Sequence, residues 1–259
     1  MTKRASGPIG APCWVDLWTS DVEGSRRFYP ELFGWVAEQP DPDHGGYFMF
    51  TRESVPIAGG MGDMGEMRAD NTWKPYLASN DIEATLKLAT ELGAAVQAPA
   101  LAVDDLGVQA VITDPQGLVI GVWQPGSFPG FTVINEHGAP IFFAFDTYDY
   151  DGAVDFYRQA FGWKPLEEET EDGHHYAGYM DPDTDRPLAG IGDKVENLAQ
   201  DERPAWAVFW QSDDVDASVQ KVLALGGTVL TAAKDGGLGR VAHVADPTGA
   251  RFWLCTPGR

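Results

Sequence analysis

The sequence predicts an α+β fold built from four copies of one strand-helix-strand-strand-strand unit, arranged as two copies of a larger module. Three observations predict it. The second half of the 259-residue chain repeats the first at a nearly constant offset. In each half short β-rich runs lead through an acidic cap into a single helix, twice over. Each half also ends on an Asp-Pro-x-Gly turn between two strands.

The repeat is read directly. Phe28-Tyr29-Pro30-Glu31-Leu32-Phe33-Gly34-Trp35 returns as Phe156-Tyr157-Arg158-Gln159-Ala160-Phe161-Gly162-Trp163. Ile57-Ala58-Gly59-Gly60 returns as Leu188-Ala189-Gly190-Ile191, and Asp81-Ile82-Glu83-Ala84 as Asp214-Val215-Asp216-Ala217. Asp114-Pro115-Gln116-Gly117 returns as Asp246-Pro247-Thr248-Gly249. Such collinear matches mark a duplication. They divide the chain into a first module at 1–125, a linker at 126–138 where Gly, Pro, Ser and polar residues cluster, and a second module at 139–259.

Within the first module the pattern predicts a strand over 14–20 and a helix over 22–33, with Asp21 as N-cap and Gly34 as the stop. Short strands follow at 47–51 and 55–61. The order then restarts with a strand at 73–79, a cap at Asn80 or Asp81 and a helix over 82–92. Strands near Val96, at 108–113 and at 118–124 complete the unit, the last two joined by a type I turn at 114–117. The second module repeats this, with strands from Ile141 and Ala205.

Composition excludes several classes. Lys plus Arg number 18 against 39 Asp plus Glu, a formal charge of −21, and both halves are acidic. A polyanion of that size is repelled by phosphate backbones and anionic headgroups, so nucleic acid and membrane are not expected partners. No apolar run follows the charged start and none reaches membrane-span length, which places the chain in the cytoplasm as an expectation. The two cysteines, Cys13 and Cys255, are too few for a disulfide framework and stand in no zinc-like spacing.

An Asp-capped helix leading to Phe-Tyr-x-x-x-Phe-Gly-Trp, with an Asp-Pro-x-Gly turn closing each half, resembles the vicinal oxygen chelate superfamily. That group includes glyoxalase I, bleomycin-resistance proteins and extradiol dioxygenases. The resemblance covers roughly residues 12–256 and is nearest to tandem two-module glyoxalase-like proteins, some of which accompany natural-product pathways. It implies that paired units curl into half-open barrels around a ligand cavity, where enzymatic members place a divalent metal. The positions that would carry the ligands are Trp14, Lys74 and Gly121 in the first half, and Phe142, Ala207 and Trp253 in the second. None supplies the imidazole or carboxylate donors such an ion takes. The expectation is therefore no metal and no other cofactor.

Strand alternation indicates what lines the cavities instead. Val15 and Leu17 are set against the helices, which puts Trp14, Asp16 and Trp18 on the cavity face, joined by Lys74, Tyr76 and Trp123. The second cavity takes Phe142, Asp146, Tyr148, Phe209, Gln211, Arg251 and Trp253, with Tyr176 and Tyr179 beside them. Aromatic walls with a few polar groups suit a flat organic ligand. A carboxylate between two indoles is costly to bury ionised. This leaves Asp16 three roles: acid-base group, hydrogen-bond partner of a ligand, or ion pair with Lys74. Tyr47 and the adjacent pair His174 and His175 are further acid-base candidates. The pair reads first as exposed hairpin histidines, with entry of one of them into the second cavity beside Tyr176 or Tyr179 as the alternative. Alternation forbids the two from sharing one ion. The runs at 167–169 and 181–185 read as solvated loops.

The leading functional expectation is metal-independent binding of an aromatic or polycyclic small molecule, with or without acid-base processing, by a monomer or homodimer. The alternatives are a metal-dependent glyoxalase-type lyase or extradiol-type dioxygenase, and a scaffold whose cavities have filled. The sequence leaves open whether units pair within each half or swap between halves.

Overall fold

The structure, a computed structural model, describes residues 7–65, 68–170, 172–181, 186–194 and 204–258. The first unit runs β1 (Pro12–Trp18), α1 (Val22–Phe33), β2 (Val36–Ala37), β3 (Phe48–Arg52) and β4 (Val55–Met61), with a 3₁₀ turn at Pro42–His44 before β3. The second runs β5 (Thr72–Ala78), α2 (Ile82–Glu91), β6 (Ala95–Val103), β7 (Gly107–Thr113) and β8 (Val119–Pro125). The third is β9 (Pro140–Asp146), α3 (Tyr150–Phe161), β10 (Leu166–Glu169), β11 (His175–Met180) and β12 (Pro187–Gly192). The fourth is β13 (Ala207–Gln211), α4 (Val215–Ala224), β14 (Thr228–Gly236), β15 (Gly239–Ala245) and β16 (Arg251–Pro257).

Helix ends follow from their caps. The Asp21 carboxylate accepts the Gly24 N–H, and Gly34 turns left-handed at φ 73° to end α1. Strands β1 and β5 stop before the limits read from the sequence. The reason is local: the hydroxyls of Thr19 and Ser79 accept the N–H groups of Asp21 and Asp81, which turns the chain out of the sheet into the cap.

Each half forms one eight-stranded mixed sheet, β2-β3-β4-β1-β5-β8-β7-β6 and β10-β11-β12-β9-β13-β16-β15-β14. The units thus pair within each half. At the centre β1 runs antiparallel to β5, with Asp16 opposite Lys74 and Trp14 opposite Tyr76. Parallel neighbours set Asp16 beside Gly59 on β4 and Tyr76 beside Gly121 on β8.

The helices cover one face of each sheet and bring the two halves together, α1 against α4 and α2 against α3. The repeated motif residues form this junction. Tyr29 donates its hydroxyl to Asp246 Oδ2 at 3.0 Å, and Tyr157 donates to Asp114 Oδ2 at 2.8 Å. Trp73 Nε1 donates to the Tyr29 hydroxyl and Trp206 Nε1 to that of Tyr157. Trp35 Nε1 reaches Gly138 O, and Trp163 Nε1 reaches Gly10 O, both at 2.8 Å. The tyrosine, tryptophan and aspartate side chains of both sets are buried, so each N–H and hydroxyl removed from water has a partner.

Segment 126–138 is no loose tether. Phe131 N donates to Cys13 O, and the Phe131 ring bridges Trp14 and Phe143. Of the acidic runs, residues 167–169 lie in exposed edge strand β10 rather than in a loop. Asp181 is buried, and 182–185 lie outside the described residues. Both cysteines are free and buried. Among the described residues no helix is long and apolar enough to cross a membrane.

Replacing Tyr29 by Phe leaves the Asp246 oxygen and the Trp73 N–H without their buried partner. Urea unfolding should register a loss of about 1–3 kcal/mol, and Tyr157→Phe should behave alike through Asp114 and Trp206.

Candidate functional site

The site is built on the concave face of the first sheet. On β1, Val15 and Leu17 are fully buried against the helices, so Trp14, Asp16 and Trp18 turn the other way. Asp16 Oδ1 accepts from Trp14 Nε1 at 3.0 Å and from the Tyr47 hydroxyl at 2.9 Å. The Tyr76 phenol, on neighbouring strand β5, stands near the same carboxyl and, with it, perturbs the titration of both groups.

Two glycines make the cluster possible. A methyl group at Gly59 would overlap both the Tyr47 hydroxyl and Asp16, and one at Gly121 would overlap the Tyr76 ring. Without side chains at these points the Tyr47 hydroxyl reaches the carboxyl across Gly59, and the Tyr76 ring lies flat over Gly121.

The electrostatics follow from burial. Asp16 is 4% exposed, and desolvation pushes its carboxyl up to about 6 against the downward pull of Tyr47, Tyr76, Trp14 and, at longer range, Lys74. Tyr47 and Tyr76 are held well above the usual phenol range, by burial first and by the Asp16 charge second, so they remain donors. Lys74 makes no ion pair with Asp16. Its ammonium pairs with Asp70 at 3.0 Å and lies 3.9 Å from the Trp18 ring centroid, as a cation over an indole face. A protonatable carboxyl met by a phenol and an indole donor can exchange a proton with a ligand or accept a hydrogen bond from one.

The second concave face differs at the decisive places. Register puts Ala144 beside Gly190, where the first half has Asp16 beside Gly59. Phe209 and Trp253 stand in the places of Tyr76 and Gly121. Tyr176 still lies over a glycine, Gly190, but meets no carboxylate there. Phe142, Phe209 and Cys255 form an apolar floor with Val241. Trp253 is stacked between Phe209 (5.3 Å, 7°) and His243 (4.5 Å, 2°). Burial lowers His243 to about 4, which keeps the imidazole neutral near pH 7.

Several residues chosen from the sequence lie elsewhere. Tyr179 is on the core side of β11, stacked on Trp163 with its hydroxyl donated to Ile9 O; it lies three positions on from Tyr176, an odd spacing, so the two face opposite ways. Tyr148 is 67% exposed because β9 ends at Asp146 and alternation no longer applies beyond it. Asp146 lies at that strand end against Gly192, Arg251 is exposed at the start of β16, and Gln211 is half-buried at the end of β13. Trp123 by contrast stays beside the site: it is buried with its indole N–H on Phe128 O, and the Phe128 ring packs against both Trp123 and Trp14. His174 and His175 do not enter the cavity. His174 precedes the strand, which frees both rings to bind one carboxylate, Asp193, at 3.1 and 2.9 Å on the rim.

Gly59, Gly121 and His243 escaped selection. Alternation of Val241, His243 and Ala245 against the core residues Ala242 and Val244 was the signal for the histidine. The glycines gave none, because a missing side chain has no chemistry to read.

Among the described residues no group of three or more His, Cys, Asp or Glu side chains is placed to hold a metal ion. The positions that resemblance assigns to metal ligands carry indole, ammonium, phenyl and methyl groups or no side chain, so this donor set does not fit a divalent ion. A small cleft lies away from Asp16, between the halves at Cys13, Phe131, Ile141 and Phe143; at about 20 Å³ it has room for roughly one water.

Two curled eight-stranded sheets, each carrying aromatic side chains on its concave face, define a protein of the glyoxalase and dioxygenase fold. The chain belongs to the Glyoxalase/Bleomycin resistance protein/Dioxygenase superfamily, whose model matches residues 143–254, while a Glyoxalase-like domain model matches 14–122. It is 33% identical, over 99% of its length and 98% of the other, to "Putative glyoxylase CFP32" of Mycobacterium tuberculosis (strain CDC 1551 / Oshkosh). Identity to the anthracycline biosynthesis protein DauV of Streptomyces sp. (strain C5) is 34%, over 97% of this chain and 94% of that one. Among solved structures, the Mn(II)-bound glyoxalase from Novosphingobium aromaticivorans superposes with a TM-score of 0.65 at 14% identity, covering 96% of this chain and 82% of that one. The 2,2',3-trihydroxybiphenyl 1,2-dioxygenase of Sphingomonas wittichii strain RW1 gives 0.64 at 12%, covering 97% and 91%.

Because Asp16 binds its proton more tightly in the folded chain than its ordinary value of 3.8, folding favours the protonated form. Stability should therefore fall as pH rises from about 4 to about 6, by roughly 3 kcal/mol in all. Urea titrations of Asp16→Asn should lack this slope, and parallel curves for the two proteins would contradict it.

Proposed function

We propose that the chain binds a flat aromatic or polycyclic small molecule on the concave face of its first half, without a metal, and that Asp16 is the group that exchanges a proton or a hydrogen bond with it. The carrying observation is the Asp16 carboxyl, buried among Trp14, Tyr47 and Tyr76 with no cation paired to it. A carboxyl with a value near 6 lies in the range where an acid-base group works at neutral pH. Trp18, with Lys74 over its ring, and Trp123 contribute aromatic surface around it. The likeness to DauV, named for anthracycline biosynthesis, supports a polycyclic ligand of natural-product type. The poor fit of the donor set supports chemistry carried by side chains.

A second reading, a scaffold with a filled cavity, draws on the burial of Trp14, Tyr76 and Trp123, each 7% exposed or less.

Titrating the protein with planar polycyclic phenols and quinones while following tryptophan emission separates the two. Saturable quenching that weakens about tenfold or more in Asp16→Asn supports the ligand reading, since a buried charge-assisted hydrogen bond contributes on the order of 1.5–3 kcal/mol. An absence of quenching by every such compound supports the scaffold. A stoichiometric metal found by elemental analysis of protein purified without chelators would overturn the metal-independent part.

A further inference from the structure

His44 closes the first half-barrel across its mouth. In the sheet order, β3 and β7 are separated by five strand steps, a path of ~24 Å along the sheet surface. Yet His44, in the turn before β3, places Nε2 3.1 Å from Asp104 Oδ2 in the β6–β7 turn. Its other nitrogen, Nδ1, lies 2.8 Å from Asp41 Oδ2. The sheet therefore curls until its two arms meet, and one imidazole joins them.

The turn that carries His44 also carries Tyr47. Asp41 N donates to Tyr47 O, Gly46 N donates to Asp41 O, and Tyr47 N donates to His44 O, so residues 41–47 form one braced unit. Left-handed backbone at Gly45 and Gly46 permits this tight path. Tyr47 in turn holds Asp16. The second half has no such clasp among its described residues. The β14–β15 turn, Gly237-Leu238, has no carboxylate where the first half has Asp104 and Asp105, and His174 and His175 bind Asp193 beside their own hairpin.

We propose that the 41–47 turn is a lid over Asp16, latched by His44 to Asp104 and released when His44 loses its proton, so that Tyr47 withdraws and the concave face opens to ligand. An imidazolium donates at both nitrogens, whereas neutral imidazole donates at one and turns a lone pair toward the other carboxylate. Around His44 stand Asp41 and Asp43 on its own turn and Asp104 and Asp105 on the opposite one. The loop after β4, whose Met64 lies against Gly45, adds Asp63 paired with Arg68. The hydrogen bonds to Asp41 and then Asp104 raise His44 above its ordinary 6.5. The latch is thus complete below that value and is lost as pH rises through the raised one.

This proposal rests on the reading of Asp16 as the ligand site, but its test needs no ligand. Hydrogen exchange, corrected for intrinsic rates, is compared at about pH 5.5 and about pH 8.5 for peptides spanning 38–50 and 100–108. Wild-type protein should exchange faster in both peptides at the higher pH, by roughly the two- to fivefold that an exposed ion pair supplies, while peptides spanning 172–180 and 236–245 set the control. His44→Gln and Asp104→Asn, both exposed sites that leave the fold intact by circular dichroism, should abolish the pH step and show the open rate throughout. Equal protection at both pH values in the wild type, or variants that match it at the lower pH, would overturn the lid. A retained pH step with no quenching by polycyclic ligands would instead overturn the ligand reading and leave the lid standing.

Discussion

The molecule is held together by a hydrogen bond made twice: a tyrosine from each half donates to the turn aspartate of the other, Tyr29 to Asp246 and Tyr157 to Asp114. Burying a carboxylate is costly unless donors meet it. Asp114 already accepts the N–H groups of Gln116 and Leu118 to shape its own turn, and the tyrosine takes the remaining oxygen. The same residue that folds the local hairpin thereby joins the halves. Each Tyr hydroxyl also accepts a tryptophan N–H, so a polar chain runs through an otherwise apolar interface.

That arrangement places the repeated motifs on the helix-covered side of the sheets and leaves the concave faces outside the interface. The two faces differ accordingly. One carries a carboxyl served by a phenol and an indole, the other a ladder of parallel rings with Ala144 where the carboxyl would be. The interface needs the same residues from both halves, while the cavities need nothing from each other.

This division explains what could be read in the sequence. The motifs that revealed the duplication, Phe-Tyr-x-x-x-Phe-Gly-Trp and Asp-Pro-x-Gly, are those with fixed partners across the interface, so their pattern is strict. Helix ends were legible because Asp21 and Gly34 act within a few residues of themselves. Asp16 was legible because alternation on β1 sets it against Val15 and Leu17. The partners of Lys74 were not, since the choice between Asp16 and Asp70 depends on where a flexible ammonium settles in three dimensions. Tyr148 and Tyr179 were misplaced where alternation was carried past a strand end or across an odd spacing. The meeting of His44 with Asp104 depends on the curl of a whole sheet, which no local pattern encodes.

The empty positions at Gly59 and Gly121 impose an order on sequence change. A tyrosine at 47 cannot occupy its present place while position 59 bears a side chain, so the glycine has to be there first. Once the phenol is seated, alanine at 59 displaces its hydroxyl and the Asp16 carboxyl from each other. Each such pair works as a ratchet, and the second half, with Tyr176 over Gly190, holds one of the same kind. Divergence at the first concave face therefore has a fixed order, in which the tyrosine leaves before the glycine gains a side chain.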